Sequence, residues 1–350
     1  LLAPEWVWNI REAVARCGGL FSFRCGFLAY NHRMRAEREK LKRLAHEAGF
    51  DLAGVARADA LETARERLLE WLGRGYQAEM AWMAREPEKR ADPRLLFPGA
   101  KTVLSVALNY YTPHEHYASH DAGKISRYAW GDDYHEVLKD KLITLLNRIK
   151  AEYPQANGKA CVDTAPILEK AWAAAAGLGW IGKHTNLITR ELGSWVFLGE
   201  LILDIEADAY DEPAEDHCGT CTACIAACPT GAITEPYVVD SNLCISYATI
   251  EHRGEELPEA VTGRLEGWLY GCDICQDVCP WNRFEQPTGE KRFEPRKNET
   301  ALPFKEILAM TPESYSARFR GSAIKRAKLP GLKRNAMQLI KDKKKDELEK

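Results

Sequence analysis

Eight of the chain's eleven cysteines fall between residues 218 and 279. Four make the run CGTCTACIAACP: Cys218, Cys221, Cys224 and Cys228, with Pro229 next. Cys272, Cys275 and Cys279 precede Pro280, and Cys244 stands between the two groups. In a ferredoxin-type run, thiolates at two-residue gaps curl around one iron–sulfur cluster, while the fourth cysteine, before proline, points at another. That crossing rule assigns Cys218, Cys221, Cys224 and Cys279 to one [4Fe–4S] cluster, and Cys228, Cys244, Cys272 and Cys275 to a second. Cys-x-x-Cys pairs also hold tetrahedral zinc, but zinc leaves the three-residue gaps and the Cys-Pro steps unexplained. A disulfide framework would spread its cysteines through a small secreted chain. Clustering in a long chain points to metal and to a reducing, cytoplasmic compartment.

Clusters of this kind move electrons, and a relay alone does not need the long stretch before Cys218. In that stretch, CVDTAP places Asp163 after a short strand and before a helix. Asp163 or Thr164 would cap that helix, or the carboxyl would donate a proton if burial raised its pKa. The pattern does not choose between them. GLGWIG at 177–182 matches the G-x-G-x-x-G of dinucleotide sites. It follows a helix and leads to a strand, the reverse of the order phosphate binding requires. Its glycines are expected to end the helix and admit a close backbone approach.

The elements that must position these residues read as follows. The 350 residues are 45% hydrophobic and 28% charged with net charge −3, and no apolar run nears a membrane span. Residues 1–33 lack the basic start and cleavage site of a secretory peptide. A charged amphipathic helix begins at Met34, so 1–33 is expected to be an extension outside the native protein, or disordered. Residues 34–210 alternate strands (DLAGVARA, KTVLSVALNYY, KACVD, TNLIT, SWVFLGELIL) with helices (EREKLKRLAHEAGF, DYHEVLKDKLITLLNRIKAEY, PILEKAWAAAAG), a layered α/β or α+β domain. Residues 211–292 hold the cysteines, and 293–350 read as helical. Between 315 and 345, eleven Lys/Arg face one acid, Asp342. This is either a solvated tail or a surface for phosphates.

Together these segments resemble the epoxyqueuosine reductase family, from about residue 34 onward. The resemblance is carried by ISRYAWGDDYHEVL, VDTAPILEKAWAAAAGLGWIGKHTNLIT, GSWVFLGELIL, the cysteine runs, LCISYATIEHRG and GWLYGCDICQDVCPWN. It implies a nitroreductase-like domain, similar to cobalamin-processing proteins, then a two-cluster ferredoxin-like domain and a C-terminal HEAT-like helical repeat. It also implies cobalamin, reduction of epoxyqueuosine to queuosine at the tRNA wobble position, an unnamed cellular electron donor and a monomer with no membrane attachment. Asp163, in V-D-T-x-P, becomes the expected proton donor, as a neutral carboxylic acid in a dry pocket. Expected cobalamin contacts are Tyr134, His135, Asp163, Lys183, Asn186, Ser246, Asp273 and Ile274. Expected tRNA contacts are Lys325, Arg326, Lys328, Lys333 and Arg334, flanking a Pro-Gly turn between helices. A reductive dehalogenase-like enzyme acting on a small molecule is the alternative. It would carry an Arg-Arg export signal, a tyrosine donor and no basic helical repeat. This sequence shows no Arg-Arg signal and does show Asp163 and the basic C-terminal helices.

Overall fold

The computed structural model describes residues 35–116 and 120–348; the expectation for residues 1–33 lies outside them. Arg38–Glu47 (α1) buries Leu41, Leu44 and Ala45 on one face. Gly49, at φ +87°, then turns the chain into Leu52–Arg57 (β1). Glu62–Gly73 (α2) follows, and then Thr102–Asn109 (β2), whose eight residues are all buried. Ala122–Ile125 (β3) leads into Tyr134–Glu152 (α3), where Val137, Leu138, Leu142, Leu145 and Ile149 form the buried stripe that helical spacing predicts. Gly158–Cys161 (β4), Glu169–Ala175 (α4), the hairpin Trp180–Ile181 (β5) and Leu187–Ile188 (β6), and Val196–Leu203 (β7) complete this part.

The main sheet has the order β1-β2-β7-β4 with every neighbouring pair antiparallel. Interleaved helices and strands leave strand direction open, and the antiparallel pairing places this sheet on the α+β side. α1 and α3 cover one face, while Trp172 and Ala173 of α4 pack with Val103, Ala107 and Ile202 on the other. The glycine run ends α4, with Gly177 at φ +75°. A Cβ on Gly179 would sit 2.0 Å from the Ile188 carbonyl oxygen, so only glycine admits this strand contact.

Beyond the main sheet come Ala223–Ala227 (α5), Ile245–Ile250 (α6), Trp268–Tyr270 (β8) and Ile274–Asp277 (α7). Ala301–Pro303 (β9), Phe304–Ala309 (α8), Pro312–Arg318 (α9) and Lys328–Leu348 (α10) follow. β3 pairs in parallel with β8 and antiparallel with β9, so one small sheet draws a strand from each of 34–210, 211–292 and 293–350. The described residues from Arg35 onward accordingly gather as one unit. The C-terminal segment, expected to be helical, instead opens with β9, added to the small sheet, and is helical only after it. Pro330 and Gly331 lie inside the first turn of α10, not between helices. Proline costs nothing there, because first-turn N–H groups have no intrahelical acceptor. Among the described residues, no helix is long and apolar enough to cross a membrane.

Candidate functional site

The chain after β4 does not run straight into α4. Asp163 adopts φ +40° and its amide donates to a Glu169 carboxylate oxygen. Leu168, with no side-chain bond, occupies the N-cap position of α4, so neither Asp163 nor Thr164 caps that helix. Asp163 Oδ2 instead lies 2.9 Å from His135 Nε2. His135 belongs to the first turn of α3, whose N-cap Asp133 accepts its backbone N–H and lies 2.7 Å from Nδ1. Both ring nitrogens therefore face a carboxylate. Tyr134 stacks on Phe197 with ring centroids 4.4 Å apart, bracing the start of α3 against β7.

These contacts decide where protons sit. Burial opposes a charged His135, but hydrogen bonds to Asp133 and Asp163, and their charges, push it up to about 9. Burial would raise Asp163, yet the His135 hydrogen bond and charge, helped by Tyr134, hold its carboxyl below the ordinary value. Glu169 moves the other way, raised by burial and then by the neighbouring Asp163 charge. The expected neutral Asp163 is thus corrected. The His135 ring within hydrogen-bond reach favours the carboxylate over the neutral acid.

Asp163, His135, Tyr134, Glu169, Lys170 and Ser246 line a cleft of about 2390 Å³. That is more than twice the roughly 300–1,000 Å³ of a pocket for a drug-sized ligand. Of the expected cobalamin contacts, Tyr134, His135, Asp163 and Ser246 face this space, and four others do not. Lys183 is 9% exposed and donates to the carbonyls of Gly219 (2.7 Å) and Cys221 (2.9 Å), bracing the first cysteine run. Asn186 Oδ1 accepts from Lys170 Nζ at 2.9 Å, outside the lining. Asp273, 1% exposed, accepts from Ser126 Oγ and the Arg127 amide and thereby pins the second cysteine group. Ile274 packs against the core around β8.

The thiols influence one another through space, within and across the two expected sets. Burial, then Cys218 and Cys221, push up Cys279; burial, with Cys279 and Cys218, raises Cys224. Burial, then Cys275 and Cys244, raise Cys272. Cys275 in turn feels Cys244 first among the thiols, with Cys224 and Cys228 behind it. Among the described residues, no three Cys, His, Asp or Glu side chains converge as ligands of a single ion would. Cys244, expected as a ligand of the second cluster, also lines the cleft.

The basic residues divide. Lys325, Arg326 and Lys328 are exposed and Lys333 is half-buried. Arg326 grips Glu251 through Nε and Nη2 at 2.8 Å each, lies over the Trp82 ring, and lines the cleft. Arg334 is 6% exposed and donates to the carbonyls of Ala248 (2.8 Å), His252 (3.0 Å) and Gly254 (2.9 Å). It clamps α10 to α6 and is withdrawn from any phosphate; a basic run does not reveal which cation points inward. Sequence reasoning passed over Glu169, Lys170, Tyr128, Tyr270 and Glu251, which also line the cleft. The adjacent Glu-Lys in the otherwise apolar ILEKAWAAAAG was the available signal for the first two.

A large cleft bordered by a paired-cysteine unit is the arrangement of a redox protein. The model described as "4Fe-4S double cluster binding domain" matches residues 217–282, and "Epoxyqueuosine reductase QueG, DUF1730" matches residues 90–164. The epoxyqueuosine reductase of Leadbetterella byssophila is 50% identical over 302 residues, covering 86% of this chain and 98% of the relative. The crystal structure of epoxyqueuosine reductase with a tRNA-Tyr epoxyqueuosine-modified stem loop is similar at TM-score 0.81 and 33% identity, covering 86% of this chain and 80% of that one. A Bacillus subtilis epoxyqueuosine reductase with its catalytic loop swung out of the active site aligns at TM-score 0.79 and 31% identity, covering 86% and 80%. The chain belongs to the epoxyqueuosine reductase family.

Proposed function

We propose that this chain reduces epoxyqueuosine to queuosine at the wobble position of tRNA, with Asp163 and His135 delivering the proton to the departing oxygen. Family membership supports the substrate and sets aside the small-molecule dehalogenase alternative. The observation that carries the mechanism is the Asp133–His135–Asp163 chain at a cleft that Cys244 also lines. The reaction takes two electrons and two protons: the epoxide oxygen leaves as water and its two carbons become the cyclopentene double bond.

Both cofactor types fit the residues present. The cleft has room for a cofactor far larger than a drug-sized ligand, with Tyr134, His135, Asp163 and Ser246 able to face cobalamin. Two thiol neighbourhoods supply four sulfurs each: Cys218, Cys221, Cys224 and Cys279, and Cys228, Cys244, Cys272 and Cys275. When bound, cobalamin and the two [4Fe–4S] clusters supply the low-potential electrons. Of the two protons, solvent supplies the one that completes the water, and the protein delivers the other to the departing oxygen. His135 carries it, Asp133 fixes the ring, and Asp163 hands it over as charge builds on the oxygen, a contribution of about 10²–10⁴-fold for general acids. Lys325, Arg326, Lys328 and Lys333 offer positive charge for tRNA phosphates, and Arg334 does not. A cytoplasmic monomer served by a separate electron donor fits this reading.

The test is an anaerobic assay on epoxyqueuosine-containing tRNA with cobalamin and a strong reductant. The wild-type chain is expected to form queuosine, and Asp163→Asn to keep clusters and corrin while losing at least ~10²-fold in turnover. Wild-type failure to make queuosine would overturn the function; near-normal turnover by Asp163→Asn would remove the donor role.

A further inference from the structure

Asp163 is held at two points, and only one of them is its side chain. Its φ of +40° is a conformation that non-glycine residues rarely adopt, and such backbone persists only where surrounding structure over-determines it. His135 holds the carboxylate. The amide is held by Glu169, six residues on, whose carboxylate reaches back from the first turn of α4. This resembles the reciprocal reach of a capping box, but it spans a whole loop. The anchor is firm, since Trp172 and Ala173 in the same short helix are fully buried against the sheet.

We propose that Glu169 is the positioning residue for Asp163: a latch from α4 that keeps the 162–168 loop turned into the cleft. The inference rests on Asp163 being the donor. Glu169 itself faces Asp163 from the loop, His135 from α3, Lys170 on its own helix and the buried Glu200 from β7. Its raised affinity for a proton leaves a carbonyl oxygen free to accept the amide, so a neutral acceptor suffices. With the latch released, the loop leaves the cleft and the carboxylate loses register with the reacting oxygen. Misplacement by about 1 Å costs on the order of 10²-fold in rate.

Two variants separate latch from bulk. Glu169→Gln keeps an acceptor oxygen, whereas Glu169→Met keeps the volume and removes it. Cluster-loaded protein is followed by amide hydrogen exchange over 162–168 and by steady-state kinetics on epoxyqueuosine tRNA. Glu169→Met is expected to speed exchange in that segment by roughly tenfold or more. It should also lower kcat by about 10²-fold with KM for tRNA unchanged. Glu169→Gln is expected to restore both. Wild-type exchange in Glu169→Met overturns the latch whatever happens to kcat, and so does failure of Glu169→Gln to restore protection. The exchange result needs no turnover, so it stands apart from a failure of the donor assignment, which Asp163→Asn reports.

Discussion

His135 shows how a short contact list resets chemistry. Its raised affinity means the imidazolium form is favoured below about 9 and is lost as pH rises through that value. Asp163, held low, loses its half of the pair only as pH falls beneath the ordinary carboxylate range. Activity therefore should hold across neutral pH, with an alkaline limb in kcat/KM near 9. His135→Asn should lower kcat/KM by roughly 10²-fold and erase that limb. A limb that persists unchanged in the variant would assign it to another group. Asp163 as a candidate was legible from V-D-T-x-P; its ionisation was not. Its partner His135 lies 28 residues away in sequence, and no local pattern encodes that meeting.

At the scale of elements, the cysteine spacing and the C-terminal helix make contrasting cases. Spacing over a few residues is local geometry, so the double-cluster unit was legible from the cysteine runs themselves. Cys279→Ser and Cys228→Ser should each deplete a different cluster, halving iron content, with distinct electron paramagnetic resonance signals surviving in each. Identical surviving signals would refute the crossing assignment. In α10, by contrast, adjacent cations have opposite fates, because a helix turns about 100° per residue. Arg334→Met leaves three carbonyls without their donor and should destabilise by about 3 kcal/mol or more in denaturant unfolding. Charge reversal at Lys325 and Lys328 should spare stability, weaken tRNA binding and flatten its salt dependence. Equal tRNA affinity across salt concentrations would return these lysines to a solvated surface.

For the whole molecule, the small sheet sets the cooperative unit. Leu302, Phe304, Ile307, Leu332 and Leu339 pack with Trp268, Leu269 and Tyr270 in one buried core. Asn335 donates to the carbonyls of Thr249 (2.9 Å) and Leu269 (3.0 Å), and Tyr270 Oη to that of Ala323 (2.6 Å). A chain ending at residue 292 would expose this core and strip β8 of its cover. It should fail to yield soluble, cluster-bearing protein, as judged by iron content and size-exclusion chromatography. A soluble truncated form holding both clusters would show that the C-terminal helices are an appendage.

The amino-acid sequence alone determined local facts: strongly periodic elements such as β2 and α3, the spacing of the thiols, and the glycine run that ends a helix. Those follow from periodicity and from backbone sterics acting over a few residues. The short strands β3, β8 and β9, which exist through pairing with one another, were not legible in the sequence. Tertiary structure decided what depends on residues distant in the chain. It directed the side chains of Arg334, Lys183 and Asp273 into the fold as braces, where a basic run and a family resemblance had suggested ligand contacts. It put Glu169 behind Asp163 and His135 in front of it. Burial and charge pairing act through space, so the protonation of the site belongs to the folded chain.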